Sequence, residues 1–147
     1  VWMQRWKAGW YNMEKRIFRC HKISEGVAEG EVILSQDDMM FYLVRPETGM
    51  VFEKSHSLEG KSVANKIVVF PSGKGSSVVQ SDGLYQLKMK GNQPLAMIIQ
   101  HPETVLVAGA INMEIPMVDR VDPEFYTIVK DGDRIRVDAD REVIEIL

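Results

Sequence analysis

Lys66-Ile67-Val68-Val69-Phe70-Pro71-Ser72-Gly73-Lys74-Gly75-Ser76-Ser77 is the stretch on which the reading of this chain turns. A β-branched run stops at a proline, opens into a glycine- and serine-rich turn, and leads into Val78 to Lys90. There Val79, Leu84, Leu87 and Met89 recur at loosely helical spacing. The order predicted is strand, loop, helix. Gly73 and Gly75 can take positive φ and let a ligand reach the backbone, and the first N–H groups of a helix have no intrahelical partner. The helix dipole adds partial positive charge there and Lys74 a full one, so the junction suits an anion. The plainer reading is a flexible turn with Ser76 or Ser77 as an ordinary N-cap. It is not a Walker A loop, which needs glycine where Val68 stands.

The 147 residues make one domain, large enough to bury a core without staples. Cys20 is the only cysteine, so no internal disulfide and no thiolate cluster can form from this chain alone. A lone thiol of this kind is read as a small buried hydrophobe, in a reducing cytoplasm. Net charge is −3, without a basic block, which gives no nucleic-acid footprint. No apolar run reaches membrane-spanning length.

Residues 1–12 read differently from the rest. Trp2, Trp6 and Trp10 recur every four residues with Arg5 and Lys7 between them, as in a short amphipathic helix that could dock a partner or lie on a membrane. The preferred reading is an extension foreign to the domain, ahead of a domain that runs from Met13 to Leu147. Lys15–Ile23 and Val27–Leu34 alternate as two strands around Ser24-Glu25-Gly26, with Gly30 marking a bulge or a close backbone approach. Arg45-Pro46-Glu47-Thr48-Gly49 is a turn, and Met50-Val51-Phe52 a short strand. His56 lies in a polar loop with no carboxylate at a diagnostic spacing, a setting that favours a solvated or hydrogen-bonded ring over a base.

Leu95 to Ile99 is a continuous apolar run suited to a buried parallel strand, Thr104 to Asn112 a short helix, and Ile115 to Val118 the next strand. A parallel βαβαβ core follows, joined to a β-rich, barrel-like part that includes the alternating segments Arg134–Val137 and Glu142–Leu147. Ligands of such sheets collect beyond the carboxyl ends of the strands, where Ser72 to Ser77 belong.

Five pieces in order resemble the swivel domain of aconitase X. They are Gly30-Glu31-Val32-Ile33-Leu34-Ser35, Pro46-Glu47-Thr48-Gly49, His56-Ser57-Leu58-Glu59-Gly60, Pro71-Ser72-Gly73-Lys74-Gly75-Ser76-Ser77 and Gly109-Ala110-Ile111. The resemblance implies a swivelling β/β/α fold that closes over a large subunit carrying an iron–sulfur cluster, with no cofactor or metal held by this chain. The activity it implies is a hydro-lyase reaction, on 5-phosphomevalonate in archaeal two-subunit members and on cis-3-hydroxy-L-proline in others. Carried onto this chain, Ser76 is the proton acceptor and Ser77 assists it or caps the helix. Ser72, Gly73, Lys74, Gly75, Arg45 and His56 are the residues expected to hold the substrate or its anionic groups. Lys74 stands where the family usually has arginine, a point charge in place of a bidentate fork. Two rivals remain at this stage: a phosphocarrier using His56, and a non-catalytic module binding a phosphorylated ligand at the same turn.

Overall fold

A computed structural model describes residues 16–147. The tryptophan stripe and the boundary at Met13 lie outside the described residues. The strands are β1 (Ile17–Arg19), β2 (His21–Ser24), β3 (Val27–Leu34), β4 (Ile67–Phe70), β5 (Ala96–Ile99), β6 (Met117–Asp119), β7 (Arg134–Asp138) and β8 (Val143–Ile146). The helices are α1 (Ser77–Met89), α2 (Thr104–Asn112) and α3 (Glu124–Ile128), with a 3-10 turn at Phe41–Leu43.

The strands form one sheet in the order β1-β8-β7-β3-β4-β5-β6-β2. Its centre, β3-β4-β5-β6, is parallel. β7, β8 and β1 continue it antiparallel on one side and β2 on the other. The sheet thus begins and ends with two halves of one stretch, β1 and β2, which meet at Cys20. The Cys20 amide bonds to Glu142 O at 3.0 Å, and Arg19 exchanges amide bonds with Asp122 just beyond β6. The expected barrel-like portion arises from this closure, because an edge that meets the other edge leaves no open ladder.

Four consecutive buried residues in β4 and in β5 are what a parallel strand covered on both faces requires. Their alternation divides two cores. Val68, Phe70, Met97 and Ile99 pack with Leu84 and Leu87 of α1 and Leu106 and Ala110 of α2. Ile67, Val69, Ala96 and Ile98 face the opposite way, toward Phe18, Phe125, Ile135, Val137 and Ile144. Two β layers and one helical layer result, the β/β/α arrangement. Each fully buried aliphatic or aromatic side chain contributes about 1.5–3 kcal/mol relative to exposure.

α1 buries Gln80, Gly83, Leu84 and Leu87, a stripe at i, i+3, i+4 and i+7. Met89, expected on that stripe, is exposed. Gly83 is where α1 meets the 3-10 turn, since a Cβ there would stand 2.5 Å from Phe41 C and closer still to Tyr42 N. α2 has the predicted bounds, its first N–H groups capped by Glu103, whose carboxylate accepts from Val105 N and Leu106 N. Gly30 marks a close approach, with no bulge: its pairing with β7 is regular, and a Cβ there would lie 2.6 Å from Leu95 Cδ1. The predicted strand Met50-Val51-Phe52 is reduced to isolated bridges, Val44 with Val51 and Met50 with Ser62. α3 was not anticipated. Its signal is the spacing of Val121, Phe125 and Val129, all buried in the barrel-side core.

Candidate functional site

The turn after β4 is held from both sides. The β4–β5 ladder runs on past the strands, with Gln100 N bonding to Phe70 O and His101 N to Pro71 O, and the Ser72 hydroxyl donates to His101 O at 2.7 Å. On the other side Met39 N bonds to Ser72 O at 2.9 Å and Lys74 N to Met39 O at 3.1 Å. Gly73 sits tightly, since a Cβ there would lie 3.0 Å from both Gln80 Nε2 and Leu106 Cδ2 and would oblige those side chains to give way. At Gly75 φ is +101°, a left-handed conformation that turns the chain from this clamp into α1.

Ser76 occupies the N-cap position of α1 in extended conformation, but its hydroxyl makes no capping bond. The ordinary capping role expected for it is therefore not the one it plays. Ser76 and Ser77 are both exposed, and no acidic residue stands in the first helical turn. The orphan amides and positive dipole end of a 13-residue helix thus adjoin a free hydroxyl, a place where developing negative charge is stabilised.

Lys74 is not the open cation that the sequence implied. Its ammonium lies 2.5 Å from Glu53 Oε2, and its side chain is 39% exposed against 19% for Glu53. Arg45 packs on Phe52: its guanidinium stacks 4.6 Å from the centre of that ring, beside a groove of about 340 Å³ along α1. That groove is lined by Tyr42, Pro46, Glu47, Asp82 and Gln86 among others, and none of residues 72–77 lines it.

His56 is corrected more strongly. It is buried, 6% exposed, and both ring nitrogens are committed to backbone. Nδ1 accepts from Leu58 N at 3.0 Å, which places the ring proton on Nε2, bonded to Asp38 O at 2.9 Å. No nitrogen is left for an anion or a phosphoryl group, so His56 braces the loop after Glu53 and fits neither the substrate-binding role nor a carrier. Ser57 ties the same loop to Asp37, whose carboxyl is held below its usual range chiefly by the hydrogen bond from the Ser57 amide.

Cys20 is half-buried, and burial, with Glu142 and Asp119 nearby, pushes its thiol up to about 12. A thiolate ligand is therefore disfavoured there. Among the described residues no three His, Cys, Asp or Glu side chains gather as a metal ion needs. No described helix is long and apolar enough to cross a membrane. A larger depression, about 740 Å³, lies at the opposite end of the parallel strands between Ser24–Gly26, Ile111, Glu114 and Asp140. Its mixed charges and distance from the serine turn separate it from this chemistry. Sequence reasoning missed Glu53, Met39 and Gln80, the residues that hold the turn. Only Gln80 left a signal, a polar residue on an otherwise apolar helical stripe.

The arrangement has known counterparts. The family model for the aconitase X swivel domain matches residues 17–146. A protein of Methanococcoides burtonii named phosphomevalonate dehydratase small subunit is 45% identical over 129 residues, 87% of this chain and 93% of that one. Its namesake in Thermococcus kodakarensis is 46% identical over 127 residues, 86% of this chain and 92% of that one. Among solved structures, Thermococcus kodakaraensis aconitase X in its holo form superposes with a TM-score of 0.81 at 45% identity, covering 89% of this chain and 98% of that one. A UPF0107 protein solved by solution NMR gives 0.79 at 40% identity, with the same coverage. Matched along nearly all of its described length, with the serine turn at the end of β4 inside the match, this chain belongs to the aconitase X swivel domain family.

Proposed function

We propose that this chain is the small, swivelling subunit of an aconitase X type hydro-lyase, acting with a large subunit to dehydrate (R)-5-phosphomevalonate to trans-anhydromevalonate 5-phosphate. The observation that carries the reading is the uncapped Ser76 hydroxyl at the open N-terminus of α1, in a chain whose relatives are named small subunits of that dehydratase. Ser76, having given its own hydroxyl proton to solvent, takes the proton from the substrate carbon as the alkoxide, and the electron pair left behind forms the double bond as hydroxide departs. An ordinary serine alkoxide is too basic to form unaided. Backbone donors aimed at it in a water-poor cleft stabilise such charge by about 3 kcal/mol each. The amides that open α1 are the donors available.

Departure of hydroxide is assigned to the large subunit, for which the family resemblance implies an iron–sulfur cluster. The described residues of this chain do not fit such a cluster, because they offer a single half-buried thiol and no gathered set of ligands. Ser72, Gly73 and Gly75 shape the turn around the substrate, and Lys74 meets its anionic group once released from Glu53. Cytoplasmic assembly with the large subunit is part of the proposal.

The test is to purify the chain with its large subunit and follow dehydration of 5-phosphomevalonate, with cis-3-hydroxy-L-proline as a parallel substrate. Ser76→Ala should lower kcat by at least about 10² with the complex intact, as loss of a catalytic base does. Turnover unaffected by Ser76→Ala would remove the base, and turnover of hydroxyproline alone would remove the substrate.

A further inference from the structure

Gln80 is 0% exposed, a neutral polar side chain sealed among the apolar residues that join α1 to the sheet. A buried amide is retained only when its donors and acceptor are met, and both ends of this one are. Oε1 accepts from Phe41 N at 3.0 Å and Nε2 donates to Met39 O at 2.9 Å. The side chain thus pairs with residues 39–41 as a neighbouring strand would, and Met40 between them is extended. This stretch is also the wall of the serine turn. Met39 donates to Ser72 O, its own carbonyl accepts from Lys74 N, and Met40 lies against Gly75. Meanwhile the backbone amide of Gln80 bonds to Ser76 O at 3.0 Å. Position 80 is therefore tied to Ser76 by the ordinary backbone bond of the first helical turn, while the Gln80 side chain holds the Ser72–Lys74 clamp through Met39.

We infer that Gln80 is a positioning residue for the reacting serine: its side-chain amide sets the distance between the clamp and the start of α1, and so the direction in which Ser76 Oγ points. The inference rests on the reading of Ser76 as the proton acceptor. An apolar side chain of the same length would fill the volume but leave Phe41 N unmatched, and the turn would no longer be fixed to the helix.

The experiment uses the complex with the large subunit and two variants, Gln80→Met and Gln80→Glu. Gln80→Met keeps the volume and should lower kcat by about 10², the cost of a small misplacement of a reacting group, with KM within about twofold of wild type. Gln80→Glu adds a readout that packing alone would not move. A protonated carboxyl can accept from Phe41 N and donate to Met39 O as the amide does, whereas a carboxylate cannot donate. Its kcat relative to wild type should therefore rise as pH falls. Glu103 lies across Gly73 from residue 80, and its negative charge favours the protonated form of a carboxyl there, so it acts in the variant alone and in the direction of the amide-like state.

A kcat for Gln80→Met close to wild type, or a Gln80→Glu kcat that is low and does not recover as pH falls, overturns the inference. If the wild-type complex dehydrates neither substrate, the proposed function fails, and amide exchange on the chain itself still decides this point. Gln80→Met should then speed exchange at Met39 and Lys74 by at least about tenfold without changing β5, as expected of local opening, and equal rates would overturn it. Should neither variant fold, the wild-type side-chain NH₂ protons of Gln80 decide: exchange as fast as in an exposed glutamine overturns the inference, and strong protection supports it.

Discussion

The Lys74 ammonium and the Glu53 carboxylate stand 2.5 Å apart, so the one full positive charge within the serine turn is neutralised by a residue from the preceding loop. An incoming phosphate or carboxylate must compete with Glu53 for it. Glu53→Gln should therefore tighten inorganic phosphate at the turn severalfold in an NMR titration, and Lys74→Met should abolish the gain. The stability change should be small, within about 1 kcal/mol, because the pair is partly exposed. Equal phosphate affinity in wild type and Glu53→Gln would show that Lys74 is not a ligand-binding cation.

Gly83 and Gly60 give opposite expectations for the same substitution. Gly83→Ala drives a methyl into the Phe41–Tyr42 backbone inside a packed core, which should cost about 3 kcal/mol. Gly60 has φ +80° and nothing within 4 Å of an added methyl, so Gly60→Ala carries only the left-handed penalty, about 1 kcal/mol. Urea unfolding of both variants measures the difference. A Gly83→Ala midpoint near that of Gly60→Ala would contradict the close contact between α1 and the 3-10 turn.

Cys20 has a thiol raised from 9.0 to about 12, first by burial and then by Glu142 and Asp119. At pH 8 it should react with iodoacetamide far more slowly in the folded chain than in urea. The linkage has a definite sign. With the folded value above the unfolded one, the unfolded chain gives up the proton first, so stability is intact below about pH 9 and is lost progressively toward pH 12. Tyr126, raised to about 12 by burial, adds a slope of the same sign beginning near pH 10. Cys20→Ala should flatten the first part of the loss, and an unaltered alkaline profile would count against the buried thiol.

The parts of the fold that were legible in the sequence are those whose signal is local. Ile67–Phe70 and Ala96–Ile99 announce themselves by unbroken apolar runs, and Thr104–Asn112 is a small, apolar stretch with Pro102 just ahead of it. Pro71-Ser72-Gly73-Lys74-Gly75-Ser76-Ser77 is a junction in any context. What escaped depends on partners far away in sequence. Nothing near Lys74 says that Glu53 will claim it, and nothing near His56 says that Asp38 O and Leu58 N will take both ring nitrogens. The polar loop around His56 suggested solvent, yet Met39, Val51 and Leu58 pull that segment into the helix-side core. α3 was obscured by its length, since five residues offer a single apolar turn.

The stretch from Ile17 to Ser24 that closes the sheet on itself also sets when the domain can be finished. Phe18 pairs with Ile144 and Lys22 with Val118, so the earliest strands synthesised wait for the latest. Such non-local pairing bears a large loop-closure entropy before any contact repays it. On the ribosome β3 to β6 and their helices can assemble first and take up β2, while the β1 half of the strap stays unpaired and open to chaperones or proteases until β8 emerges.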